Sequence, residues 1–128
     1  MTAANVLAVA LGGSLGAVAR YAVYVLTMRL AGPSLPFATF AVNLFGSFVM
    51  GLLVEAFALR WSLSPPLRLL LATGFLGAFT TFSTFSLDLW VLIERGRHLF
   101  AAAYALASVL LGVLALLGGL TAARRLLL

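Results

Sequence analysis

Thr80, Thr81, Ser83, Thr84 and Ser86 crowd five hydroxyls into the apolar stretch "GFLGAFTTFSTFS", Gly74 to Ser86. Hydroxyl side chains compete with the backbone for hydrogen bonds, and Gly74 and Gly77 weaken a helix just before them. A helix broken inside an apolar span frees backbone carbonyls, which lipid does not tolerate but a buried site or an ion does. Carbonyls aimed at one point make a cation site of the hard-oxygen kind. The alternative is a continuous helix whose hydroxyls bond the carbonyls four residues back. Phe82 and Phe85 are three residues apart and share a helical face. The rim of a phenyl ring carries the positive part of its quadrupole, so ring edges turned to a narrow path favour a small anion. Ordinary packing is the competing reading of that pair.

Three further polar stripes stand on apolar runs. Thr39, Asn43 and Ser47 recur every four residues, so they share a face. An amide left in lipid is costly, so Asn43 either bonds another helix or faces water. Tyr104 and Ser108 repeat the spacing and Gly112 follows, which is either interhelical bonding or a hydrated path. Gly12, Gly16 and Arg20 do the same, the glycines forming a small-residue pattern for close helix contact. Arg20 lies roughly 13 Å along the helix from Arg29 at 1.5 Å per residue. At that depth it either snorkels to the headgroups or lines a watery cavity and attracts anions.

These stripes need apolar helices to carry them. The 128 residues are 64% hydrophobic and 9% charged, far from the balance of soluble domains, so the class is an all-α integral membrane protein. The length accommodates about four spans of about twenty residues and leaves no room for a soluble domain. The N-terminal run lacks a basic leader and is too long for a signal peptide's apolar core, so it reads as span 1. Punctuation sets the spans at about 3–30, 37–59, 67–93 and 99–123. "AGPSLP", "RWSLSPPLR" and "ERGRH" serve as loops, Pro65 or Pro66 starts span 3, and Arg124 and Arg125 close span 4. There is no cysteine and one histidine, His98, placed in loop 3, so thiolate chemistry and a histidine metal cluster are excluded. No nucleophile–base pair of an enzyme is visible.

All eight basic residues are arginines. Arg60, Arg68, Arg124 and Arg125 fall on one side of the membrane, and Arg20, Arg29, Arg95 and Arg97 on or toward the other. Orientation normally follows a Lys/Arg excess on the cytoplasmic side, and four against four leaves none. The balance points to dual topology with antiparallel pairing, against a small bias or a partner that fixes one orientation. Span-end arginines account for the basic charge without nucleic acid as a partner.

"GGSLGAVARY", "TFAVNLFGSFVMG" and "GFLGAFTTFSTFS" together closely resemble the small fluoride channels of the Fluc/CrcB family, over nearly the whole chain. The resemblance implies a dual-topology antiparallel homodimer with four spans per chain, a broken third helix and two fluoride pores. It implies passive export of cytoplasmic fluoride, which accumulates when hydrogen fluoride enters from acid surroundings and dissociates, and hence the plasma or inner membrane. It implies a structural Na+ at the dimer centre, held by the backbone carbonyls of Gly77 and Thr80 from both subunits. Phe82 and Phe85 correspond to the pore phenylalanines, Asn43 to the fluoride-donating asparagine, and Arg20 to the vestibule arginine. Ser83, Thr84, Tyr104 and Ser108 are candidates for the polar track. Related chains often carry Ser or Thr where Gly112 stands, so water completes the track here or the track is shorter.

Two rivals rest on other features. A four-span multidrug exporter needs an intramembrane carboxylate for proton exchange, yet Glu55, Asp88 and Glu94 sit toward span ends. A membrane anchor or assembly subunit explains the apolar content but not Asn43 together with the phenylalanines and the hydroxyl cluster.

Overall fold

The computed structural model describes residues 2–33, 36–60 and 62–128. The loop positions Ser34, Leu35 and Trp61 lie outside the described residues. Four helical spans, Ala3–Ala31, Phe37–Leu59, Pro65–Glu94 and His98–Leu127, are long and apolar enough to cross a bilayer, as expected of a multi-pass membrane protein.

Helix α1 (Ala3–Ala31) starts at Thr2, whose hydroxyl accepts from the Asn5 N–H at 3.3 Å. Leu7, Leu11, Leu15 and Val18 are exposed, and only Ala8, Gly12 and Gly16 are buried. A helix that is apolar all round and buries only its smallest residues is solvated by lipid and packs by close approach. A side chain at Gly12 would run into the Leu70 carbonyl oxygen, and one at Gly16 into that of Phe75. Gly74 returns the fit against the Val9 carbonyl and the Gly12 Cα. The small-residue face of span 1 is therefore filled by span 3 of the same chain.

Helix α2 (Phe37–Leu59) packs most extensively on α6 (His98–Leu127). The contact is reciprocal: Gly51 lies against the Leu116 carbonyl and Gly119 against that of Phe48. At the end of this seam Arg124 donates to Glu55 at 2.6 Å, and the Glu55 side chain is only 11% exposed. Arg60 Nε donates to the Leu127 carbonyl at 3.0 Å. Glu55 is thus committed to a partner, which further weakens the exporter reading.

Span 3 is segmented. α3 (Pro65–Arg68) begins with the two prolines at its first positions. A π-helical stretch follows at Leu69–Leu76, then the single turn α4 (Gly77–Phe79). Thr80 and Thr81 are extended, with φ/ψ of −83°/158° and −153°/120°. Helix α5 (Phe82–Glu94) resumes with Thr81 as its cap. Of the two alternatives for this span, the broken helix is the one present. It breaks at the first hydroxyls and not at the glycines, which keep helical geometry: Gly77 has φ −62° and ψ −34°.

The turn into α6 closes by paired bonds, Gly96 N–H to Ile93 O and Arg97 N–H to Leu92 O, both 2.9 Å, with Gly96 at φ 71°. His98 opens α6 instead of lying in the loop, and it is exposed. At the other end α6 runs through Arg124 and Arg125 to Leu127. Arginine ends an apolar span but not a helix, and a cation in the last turn complements the helix dipole.

Candidate functional site

The break is held by a residue from another span. Asn43 on α2 donates from Nδ2 to the Thr81 carbonyl at 3.0 Å, and its Oδ1 accepts the Thr81 N–H at 2.7 Å. This two-point contact replaces the helical bond that Thr81 gives up. Gly46, one turn along α2, makes room, since a side chain there would meet the Thr80 methyl. Thr81 Oγ1 then acts as a hub. It accepts from the Thr84 N–H at 3.2 Å, donates to the Thr84 hydroxyl at 3.1 Å and lies 3.3 Å from that of Ser83. Thr80 turns its own hydroxyl back to the Leu76 carbonyl at 2.9 Å.

These bonds decide which carbonyls are left over. In an unbroken helix the Gly77 carbonyl would accept from Thr81 N–H, and the Thr80 carbonyl from Thr84 N–H. Both donors are diverted, the first to Asn43 and the second to Thr81 Oγ1. Among the described residues no other backbone amide takes either carbonyl. Gly77 is exposed and Thr80 half-buried on the single chain. Among the described residues there is no cluster of three His, Cys, Asp or Glu side chains. Free backbone carbonyls are chemically suited to a hard cation. One chain offers two of them, and a cation needs more oxygens than that.

Beside the break lies a cavity of about 340 Å³ lined by Asn43, Ser47, Thr80, Thr81, Phe82, Phe85 and Ser108, with Gly46, Met50, Val109 and Leu116. No charged residue lines it, and its polar groups are an amide and hydroxyls. Ser47 spends its proton on the Asn43 carbonyl at 2.7 Å. Ser108 Oγ is buried and has no hydrogen-bond partner. A buried hydroxyl on a cavity wall without a protein partner is a place for water or an anion. Gly112 leaves space in front of Ser47, since a side chain there would come only to 3.9 Å of its hydroxyl.

The phenylalanines form a tilted pair with centroids 5.7 Å apart and ring planes at 46°. Phe82 is 78% exposed, whereas Phe85 leans on Tyr104 at 5.3 Å. Tyr104 itself stands apart from this cavity. It is buried with Leu92 and Ala101, and its hydroxyl donates to Asp88 at 3.3 Å. Ser83 and Thr84 bond to Thr81 and do not line the cavity, and Ser83 is exposed. Arg20 is half-buried on α1, outside the cavity lining. The structure therefore brings together Asn43, Phe82, Phe85 and Ser108 at the cavity beside the break, ties Ser83 and Thr84 to the break but not to the cavity, and leaves Tyr104 and Arg20 outside the cavity lining on a single chain.

Sequence reasoning did not single out Thr81 as the hub, or Asp88 as the partner of Tyr104. Thr39, noted only as part of a stripe, is fully buried and hydrogen-bonds Tyr24 at 2.7 Å across to α1. The available signal for Thr81 was its place within the hydroxyl cluster, and nothing in spacing distinguishes it from Thr80.

Ser108→Ala separates packing from function at this site. Deleting a hydroxyl that has no protein partner should leave thermal stability unchanged or raise it. If the hydroxyl serves a passing ion, flux should fall about fivefold, the worth of one hydrogen bond. Melting in detergent and flux in liposomes, measured on the same preparation, check both halves.

The profile of the family described as "CrcB-like protein, Camphor Resistance (CrcB)" matches residues 7–120. A "Fluoride-specific ion channel FluC" of Agrobacterium fabrum is 52% identical over 122 residues, covering 95% of this chain and 98% of the relative. "Fluoride-specific ion channel FluC 1" of Nitrobacter hamburgensis is 50% identical over 119 residues, covering 93% and 94%. The protein of that name, without the number, from Chelativorans sp. is 52% identical over 123 residues, covering 96% and 98%. With the match running through all four spans and the broken third one, the chain belongs to the CrcB-like family.

Proposed function

We propose that this chain is a fluoride channel, not an enzyme, and that it lets cytoplasmic fluoride leave passively across the plasma or inner membrane. The observation that carries the reading is the uncharged cavity lined by Asn43, Phe82, Phe85 and Ser108, whose hydroxyl has no protein partner. A small, strongly hydrated anion needs hydrogen-bond donors to replace its water, and neutral donors bind it weakly enough to let it go. Asn43 has one Nδ2 hydrogen left after its bond to Thr81. The names of the relatives at about half identity point to the same ion.

The working unit is an antiparallel homodimer with two pores. The even split of arginines supports it, as does the exposed face of α5, where Phe82, Ser83 and Leu87 stand uncovered on one chain. In that pair Gly77 and Thr80 of both subunits supply four carbonyls to a structural Na+, which neutralises their lone pairs at the centre of the bilayer. Arg20 belongs to the vestibule, and Tyr104, Ser83 and Thr84 to the polar track through their side chains.

The test is efflux from liposomes loaded with KF, followed with a fluoride electrode, beside KCl-loaded liposomes followed with a chloride electrode. Fast fluoride release on adding valinomycin, with little chloride release, is expected. Release of neither ion from folded protein would sink the channel reading and return the anchor reading.

A further inference from the structure

We infer that Asn43 is the positioning residue that makes the cation site, so that the fluoride cavity and the central cation share one side chain. The inference rests on the channel reading above and extends it. Asn43 faces the cavity and at the same time holds the Thr81 N–H at 2.7 Å. That N–H is the donor which would otherwise close on the Gly77 carbonyl in a continuous helix. The amide oxygen therefore keeps the Gly77 carbonyl free, from 38 residues away in the chain. Thr81 Oγ1 does the same for the Thr80 carbonyl by taking the Thr84 N–H at 3.2 Å. Both carbonyls are thus released by side-chain substitutes and not by the glycines, whose geometry is helical up to the break.

Without the Asn43 oxygen, Thr81 N–H has two fates. It stays unpaired in a buried place, or the backbone rewinds and the N–H returns to Gly77. Either way the carbonyl set that faces the cation is disturbed. Energetic coupling of this kind is reciprocal, so the cation also stiffens the backbone that orients Asn43 toward the anion.

Three variants separate this from a general packing role. Asn43→Leu removes the acceptor. Asn43→Asp keeps an oxygen for Thr81 N–H but alters the side chain facing the cavity. Thr81→Val removes the hub hydroxyl and leaves Asn43 in place. The full-length protein, in detergent and in sodium-free N-methylglucamine buffer, is titrated with NaCl while its melting temperature is followed, since a ligand bound only to the folded state raises it. The same preparations are reconstituted for fluoride efflux.

For Asn43→Leu and Thr81→Val the half-effective Na+ concentration should rise by about tenfold, the factor that a buried N–H left without its acceptor produces. For Asn43→Asp the acceptor is preserved but the Nδ2 bond to the Thr81 carbonyl is lost, so the half-effective Na+ concentration should rise less than for Asn43→Leu while fluoride efflux falls. Either of the first two variants responding to Na+ as wild type does would overturn the inference. Should Asn43→Leu not fold, Thr81→Val and Asn43→Asp still decide it. A wild-type protein that passes fluoride but whose melting ignores Na+ would overturn the cation site and this inference together while leaving the fluoride reading intact.

Discussion

Gly16→Val should prevent the chain from accumulating as a folded, monodisperse protein, while Gly13→Ala, three positions earlier in the same helix, should leave it intact. The contrast follows from what each side chain would meet. At Gly16 a Cβ falls on the carbonyl of Phe75, which is backbone and is fixed by the helix around it. At Gly13 nothing lies within 4 Å. Overpacking a flexible core costs about 1–3 kcal/mol, and a collision with backbone stands at or beyond the upper end of that range. Alanine at Gly13 changes stability by about 1 kcal/mol at most, the difference in helix propensity. Size-exclusion profiles and melting temperatures in detergent read both. A Gly16→Val protein that melts like wild type would mean that α1 does not seat on the π-helical part of span 3.

The same contact shows how far the sequence could be read. Gly12 and Gly16 announce close approach, but spacing carries no partner, and a homodimer contact fits the pattern as well as the intrachain one that occurs. The break in span 3 was legible because its hydroxyls and glycines are anomalous in an apolar run. What holds it was not, because Thr81 is tied to Asn43 on another span. The π-helix at Leu69–Leu76 left no trace: a stretch that is apolar on every side has no stripe whose period could reveal a wider turn. Tyr104 and Ser108 share a helical face by their spacing, yet Tyr104 is taken up by Asp88 and by the Phe85 ring while Ser108 lines the cavity with its hydroxyl oxygen buried. Periodicity assigns a face, and the neighbours decide what that face does. The Arg124 pair with Glu55 makes the same point at the span end, where the charge that marks the membrane edge is also a turn of continuing helix.

Phe82→Ile should cut fluoride efflux several-fold, up to about tenfold, without loosening the fold of the chain. The magnitude follows from replacing a ring edge, worth about 0.5–1.5 kcal/mol to a suitably placed partner, by an aliphatic group with no quadrupole. The choice of Phe82 over Phe85 follows from burial. Phe85 packs on Tyr104 and against the core of Leu92 and Ala101, so its loss would mix packing with permeation. Phe82 is 78% exposed on the single chain, and its described ring contact is Phe85 alone. Isoleucine keeps the apolar, lipid-compatible character of the position and much of its bulk. A flux defect with unchanged melting would therefore be a property of the path and not of folding. The electrode assay on liposomes, normalised to reconstituted protein, measures the first, and a melt in detergent the second. Equal flux from Phe82→Ile and wild type would take Phe82 out of the conducting path. It would leave the cavity's selectivity to its neutral donors, the free Nδ2 hydrogen of Asn43 and the hydroxyl of Ser108.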